Sequence, residues 1–337
     1  MRFIATALIA ATLAPLGALA ADQALIDAAK KEGEVTWYTT SIVDQFVRPA
    51  AQAFEKKYGI KVNYIRSNAL EIELRVSNEA KAGRIQADLV DGTTTSITLK
   101  KMNLVEKWTP DVKLPDRYRD PEGYWMASQE YVLMPGYNTD LIPKGSEPKS
   151  FEDLLNPKLK GKMVWNTTPS SSAGQGFVGL VLMEMGEAKG RAYLEKLAKQ
   201  DIAGMKAAAR QVLDQAIAGE YAIALQIFHN HTTISQARGA PVYFLKIEPG
   251  MGVVLPMSLL KNAPHPNAGK LLFDFILSEE GQKIMAESGE LPVLPSVPPK
   301  VAALRPGPDT FRAIYLPPEK LAESLAGWTK IYNEYFR

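Results

Sequence analysis

From Val35 to Phe228 the chain alternates short apolar runs with amphipathic segments of helical spacing, and that alternation admits few architectures. A short helical stretch from Asp22 carries Leu25, Ile26 and Ala29 on one side and stops at Glu32-Gly33, ahead of the β-branched and aromatic run Val35-Thr36-Trp37-Tyr38. Ile42, Phe46, Ala50, Ala53, Phe54 and Lys57 then recur at helical spacing up to Tyr58-Gly59, and Ile60, Val62 and Tyr64 alternate as a strand. A further helix over Leu70 to Lys81 ends before Gly83, and Ala87-Asp88-Leu89-Val90-Asp91 reads as a third strand. Strands separated by helices of this length pair in parallel through crossovers. The predicted fold is therefore α/β, with mostly parallel sheets flanked by helices.

A polar, proline-rich stretch from Thr109 to Gly123 breaks the alternation, and an extended segment follows up to Asn138. Beyond it, Ser150 and Asp153 have the spacing of a capping box, Pro157 ends that short helix, and Lys162 to Trp165 begins a strand. The pattern then resumes through Phe177 to Met185, Gly190 to Lys199, Ala207 to Ala218 and Tyr221 to Phe228. Glu248-Pro249-Gly250 interrupts a second extended region, which predicts a return crossing. At 337 residues the chain exceeds one typical domain, so two lobes are expected. Lobe 1 is assigned to 21–127 and 256–297, lobe 2 to 132–248 and 298–337 with C-terminal helices, and the two-strand hinge to crossings at 128–138 and 243–256.

Residues 1–20 carry one basic residue, Arg2, then an uncharged Ala/Leu-rich run ending Ala18-Leu19-Ala20, the pattern of a cleaved secretory signal peptide. The alternative is a retained membrane anchor, since the run approaches a spanning length. Without Arg2 the 39 basic residues become 38 against 37 acidic ones, a balance that argues against nucleic acid as partner. There is no cysteine, so disulfides, thiolate catalysis and thiolate metal sites are excluded. The expectation is an exported, periplasmic monomer stabilised by core burial.

In parallel α/β sheets ligands bind beyond the carboxyl ends of strands, where loops present polar groups. Small polar residues follow predicted strands here at Thr39-Thr40-Ser41, at Thr93-Thr94-Thr95, at Thr168-Pro169-Ser170-Ser171-Ser172, and at His229-Asn230-His231. Each hydroxyl is equally explained as a helix cap, but their recurrence predicts a shared binding surface. Uncharged hydroxyl loops suit an anionic group such as a carboxylate, phosphate or phosphonate. Arg210 offers a full charge for such a group, with Gln211 beside it; Tyr131 and Gln129 on the first crossing offer stacking or hydrogen bonding. On a strand, His229 and His231 would share a face and form an alternative metal site. His265, between Pro264 and Pro266, reads as a surface loop residue.

The run Ala268-Gly269-Lys270-Leu271-Leu272-Phe273-Asp274-Phe275-Ile276-Leu277-Ser278-Glu279-Glu280-Gly281-Gln282, followed by Leu291-Pro292-Val293-Leu294-Pro295-Ser296-Val297, resembles the helix and return segment of periplasmic solute-binding proteins of ABC importers. Ser150 to Val164 resembles the entry to their second lobe. The similar group carries ferric iron, polyamines, thiamine and phosphonates. The resemblance implies the type II fold, closure of two lobes on a ligand by hinge bending, and delivery of a small molecule to an inner-membrane permease. Ferric members end the segment matching Glu220 to Asn230 in two tyrosines; here His229 and Asn230 stand there, and Thr40-Ser41 replaces a further iron ligand. Neutral imidazole and amide serve ferric iron poorly. An organic or phosphorus-containing anion is therefore the expected solute, with Fe3+ as the alternative transported ligand and no resident cofactor. A hydrolase using Ser170, Ser171 or Ser172 with His229 is the runner-up, and it lacks a Gly-x-Ser-x-Gly elbow. The leading expectation is not an enzyme.

Overall fold

The computed structural model describes residues 23–168 and 172–336. The leader expected at 1–20, and Ser170 and Ser171, lie outside the described residues. In chain order the elements are α1 (Gln23–Glu32), β1 (Glu34–Thr39), α2 (Arg48–Tyr58), β2 (Lys61–Arg66), α3 (Ala69–Lys81), β3 (Leu89–Asp91), α4 (Thr95–Lys101), β4 (Val105–Glu106) and the long β5 (Met126–Asn138). There follow β6 (Met163–Asn166), α5 (Gln175–Met185), α6 (Glu187–Ala198), β7 (Ala203–Met205), α7 (Ala209–Ile217), β8 (Ile223–Phe228), α8 (Asn230–Gln236), β9 (Val242–Phe244) and β10 (Gly250–Leu260). The chain closes with α9 (Pro266–Leu277), α10 (Glu279–Glu287), β11 (Leu291–Pro292), β12 (Ala313–Tyr315) and α11 (Pro318–Tyr335).

Local chemistry explains the boundaries. Gly59 ends α2 with φ +71°, a left-handed conformation that side chains other than glycine rarely adopt. Asn68 caps α3 by accepting from the Glu71 amide at 3.0 Å, and Ser278 separates α9 from α10 by accepting from the Gly281 amide at 3.2 Å. The Ser150/Asp153 capping box forms in both directions, at 3.0 and 3.2 Å, and opens a 3-10 turn at Glu152–Leu155. A short 3-10 turn at Ala302–Leu304 and the single α-helix α11 stand where C-terminal helices were expected, and Pro306, Pro308 and Pro317 keep 305–317 from continuous helix.

Across the sheet the strands run β2-β1-β3-β10-β5-β8-β6-β7. β1 pairs in parallel with β2 and β3, and β6 in parallel with β7 and β8. The two central strands are antiparallel to each other: β10 pairs with β5 along Met251 to Met257 and with β3 beyond that, while β5 continues to β8. Register shifts fall between Leu255 and Pro256 and between Met134 and Gly136, the second interval spanning Pro135. Proline lacks the N–H a ladder needs, so both shifts sit where the chain cannot donate.

Burial divides along these central strands. One core gathers Trp37, Phe46 and Phe54 with Leu271, Leu272, Phe275 and Ile276 of α9; the other gathers Trp165, Phe177, Leu194, Val212 and Leu225 with Leu325 and Trp328 of α11. On β1, Trp37 enters the first core whereas Tyr38 packs with Ile72, Val76 and Leu99 under α3 and α4, so helices cover both faces. Tyr131 and Val253 belong to the second core, Ala127 and Val254 to the first. β5 and β10 thus pass from one core to the other.

Candidate functional site

Asp91 terminates β3 in full burial and collects the first hydroxyl loop. Its Oδ2 accepts from Trp37 Nε1 (2.9 Å) and Thr39 Oγ1 (2.5 Å), and its Oδ1 from the Thr40 amide (2.7 Å) and Thr40 Oγ1 (2.9 Å). Burial pushes the Asp91 carboxyl pKa up, and these donors pull it back. Thr39 and Thr40 are therefore committed to a carboxylate of their own core. Thr39 Oγ1 in turn accepts from the Ser41 amide (3.0 Å).

Ser41 is buried and meets the crossing strand. Gln129 Nε2 donates to Ser41 Oγ at 3.3 Å and to the Tyr131 hydroxyl, two residues along the same face of β5. β11 pairs antiparallel with β5, Leu291 facing Glu130 and Pro292 facing Gln129, so the register extended by one residue sets Glu290 opposite Tyr131. Glu290 is 1% exposed, and its Oε2 accepts from Asn230 Nδ2 at 2.9 Å. Burial lifts the Glu290 carboxyl to about 8, the Asn230 contact opposing the shift. The same burial, with Glu290 and Asp91 nearby, carries the Tyr131 phenol well above its usual range. Ser41, Gln129, Tyr131, Asn230 and Glu290 therefore form one buried polar cluster where the two cores adjoin.

The opposite face of β5 carries an independent knot. Tyr118 and Tyr315 hydroxyls donate to Glu130, the latter at 2.6 Å, with Arg117 at 3.9 Å. Alternation along the strand keeps Glu130 apart from the cluster built on Gln129 and Tyr131.

The histidines part company. β8 ends at Phe228, and His231 lies in the first turn of α8, so the two do not extend along a strand as expected. His229 is fully buried, its Nε2 2.6 Å from the Leu304 carbonyl and its ring edge-on to Phe244 and Phe311. Burial lowers it to about 4, and it fixes the segment around Leu304 rather than the cluster. His231 packs edge-on to Phe228, whose ring lies tilted against Tyr131, and burial followed by the charges of Arg210 and Arg66 lowers it to about 3. Both imidazoles are neutral at physiological pH. His265 is no free loop residue: its amide and Nδ1 bind Asp88 at 2.6 and 3.1 Å, because the proline-bounded turn folds back over β3.

Arg210 donates to Asp214 through Nε at 3.0 Å and to Ser235 Oγ through Nη1 at 2.8 Å, leaving its half-exposed guanidinium only partly available. Gln211 accepts from the Ala208 amide at 2.9 Å and so serves as a cap for α7. Thr94 donates to Glu73 at 3.1 Å, the Thr168 amide to Asn166 Oδ1 at 2.5 Å, and Thr93 and Ser172 are half-buried in their turns. No described hydrogen bond joins these four to the central cluster. Arg66, which the sequence reading passed over, is exposed at the end of β2; its charge acts on both Tyr131 and His231, and among the described residues its guanidinium has no ion-pair partner. Arg66 and Arg210 thus approach His231 from different cores. Glu290 was also passed over, although it directly precedes the Leu291-Pro292-Val293 run, because a lone acid in a loop reads as solvated.

No group of three or more His, Cys, Asp or Glu suited to a metal occurs among the described residues. A groove of about 730 Å³ lies outside the second core against Phe151, Tyr193 and Lys246, away from the cluster.

The profile of a bacterial extracellular solute-binding protein matches residues 70–314. Over 201 residues the chain is 27% identical to iron uptake protein A2 of Synechocystis sp., covering 55% of this chain and 57% of that one. A putative 2-aminoethylphosphonate-binding periplasmic protein of Salmonella typhimurium is 25% identical over 280 residues, 80% of this chain and 77% of its own. The periplasmic binding protein AfuA of Actinobacillus pleuropneumoniae, solved with fructose-6-phosphate bound, matches with a TM-score of 0.73 at 22% identity, over 90% of this chain and 98% of that one. That last likeness is one of fold and agrees with the α/β architecture expected. With crossing strands, paired cores and a matching profile over most of its length, the chain belongs to the bacterial extracellular solute-binding protein family.

Proposed function

We propose that this chain is the capture component of a bacterial ABC importer: exported to the periplasm through a cleaved leader, it binds a small solute between its two cores and presents it to a membrane permease. It works as a monomer and performs no chemistry on its guest. The observation that carries this reading is the buried contact across the division, where Asn230 of the second core meets Glu290 beside Ser41, Gln129 and Tyr131. A guest held there would draw the cores together about β5 and β10, stabilising a closed form that the permease can distinguish.

Arg66 and Arg210, from different cores, supply the positive charge for an anionic group on the solute. The relatives' names span iron and 2-aminoethylphosphonate, and the solved neighbour carries a sugar phosphate. Ferric iron is the less supported guest, since a buried Tyr131 phenol and neutral His231 are poor ligands for a hard trivalent cation. Against hydrolysis, His229 is spent on the Leu304 carbonyl.

Differential scanning fluorimetry with 2-aminoethylphosphonate, ethylphosphonate, fructose 6-phosphate, citrate and ferric citrate tests the reading. A guest at 100 times its Kd contributes about 2.7 kcal/mol, which raises Tm by several degrees. X-ray scattering with that guest should show a smaller radius of gyration. No shift with any member, or a shift without compaction, refutes capture between the cores.

A further inference from the structure

Three buried oxygens in the central cluster share a property that nothing else in the molecule explains. Glu290 Oε1, Asn230 Oδ1 and Gln129 Oε1 are sealed from solvent without a hydrogen-bond partner. Their residues are 1%, 1% and 0% exposed. Asn230 Oδ1 and Gln129 Oε1 can only accept, and Glu290 Oε1 becomes an acceptor once its proton is released. The amide donors of the cluster are already used, Asn230 Nδ2 on Glu290 and Gln129 Nε2 on Tyr131 and Ser41. Buried acceptors are nearly always satisfied in folded proteins, so a set left open at the junction of two cores marks a place for a donor from outside the chain. No lysine or arginine of the described residues bonds Glu290, which leaves the cluster with an acid and no counter-charge of its own. A primary ammonium has three N–H donors and no acceptor, and it supplies the missing positive charge.

We infer that Glu290, Asn230 and Gln129 receive a primary ammonium group of the captured solute, so that the guest is a zwitterion whose anionic end turns toward Arg66. This rests on the capture reading above and narrows its solute from an anion to an amine-bearing anion. The oxygens are buried, so the ammonium reaches them when the cores part and is desolvated when they close. An amine-free analogue leaves the same acceptors buried and open, and the resulting discrimination is large. Burial that holds the Glu290 proton in the free protein adds a consequence: the incoming cation favours the carboxylate and expels that proton.

Calorimetric titration with matched pairs decides the matter: 2-aminoethylphosphonate against ethylphosphonate, and γ-aminobutyrate against butyrate. The expected result is that an amine-bearing member binds at least about 100-fold more tightly than its amine-free partner. In Glu290→Gln, which is isosteric, that ratio falls below about 5-fold. Arg66→Ala, a change at an exposed side chain, weakens both members of a pair equally and keeps their ratio. Should Glu290→Gln not melt cooperatively, the wild-type ratio alone decides. Equal binding within each pair, or a ratio unchanged in Glu290→Gln, overturns the ammonium assignment. Binding confined to ethylphosphonate, citrate or fructose 6-phosphate overturns it while leaving capture intact; no binding by any probe overturns both.

Discussion

Replacing Glu290 by Gln should stabilise the ligand-free protein, and the gain should depend on pH in a calculable way. In the folded chain burial holds the carboxyl at about 8 against an ordinary 4.5. Below pH 4.5 the group is protonated whether the chain is folded or not, and it costs nothing. Between 4.5 and 8 the unfolded chain releases the proton while the folded chain keeps it, so stability falls as pH rises and levels off above 8. At 1.36 kcal/mol per unit, the wild type loses about 3 kcal/mol by pH 7 and about 5 kcal/mol above pH 8. Glutamine cannot titrate and still offers Asn230 Nδ2 an oxygen to bond, so the variant lacks that slope. The neighbouring groups that could titrate or shift the balance, Tyr131, Asp91 and Arg66, are common to both proteins and cancel in the difference. Urea unfolding of both proteins at pH 4.5, 6, 7 and 8 provides the assay. The curves should coincide at pH 4.5 and separate progressively, the variant melting about 6 °C higher at pH 7 in a parallel thermal scan. Two parallel stability profiles from pH 4.5 to 8 would show that Glu290 is already solvated or ionised in the free protein, and the reasoning would fail.

Asp91→Ala strands four donors, among them Trp37 Nε1 and the Thr40 amide, and should cost about 3–5 kcal/mol in urea unfolding; a loss under about 1 kcal/mol refutes the hub role. Gly179→Ala places a Cβ 2.3 Å from the Trp328 ring, which a rigid indole cannot accommodate, so α11 should lift from α5 with a loss of about 1–3 kcal/mol and earlier cleavage near the C-terminus in limited proteolysis; an unchanged digestion pattern counts against that packing. His229→Phe removes the 2.6 Å bond to Leu304 and should lower Tm by several degrees while leaving the affinity for any bound solute within about 2-fold; a collapse of affinity would return His229 to the binding surface.

Much of the architecture is legible in the order of the residues. Leu271, Leu272, Phe275 and Ile276 repeat at helical spacing and are all buried on one face of α9. Val35 and Trp37 alternate with residues turned to the other side of the sheet, and the glycines at 33 and 59 end their helices in left-handed conformation. Such signals survive because they are written within a few residues of one another. The hydroxyl loops were legible as loops, but the partner each group takes within the chain was not: Thr39 and Thr40 bond Asp91, Gln211 caps α7, and Arg210 bonds Asp214 one helical turn along. Each had a local alternative partner that composition could not rank.

Glu290 shows where local reading stops. It is separated by 60 residues from Asn230 and by about 160 from Tyr131, and along the chain it stands as one more acid in a loop. Hydrophobic periodicity needs only neighbours, so strands and helices are written in the order of the residues. Desolvation of a carboxylate, and the partner it finds or lacks, is set by atoms that meet after distant segments pack, and so the chemistry of this buried cluster emerged only from the folded chain.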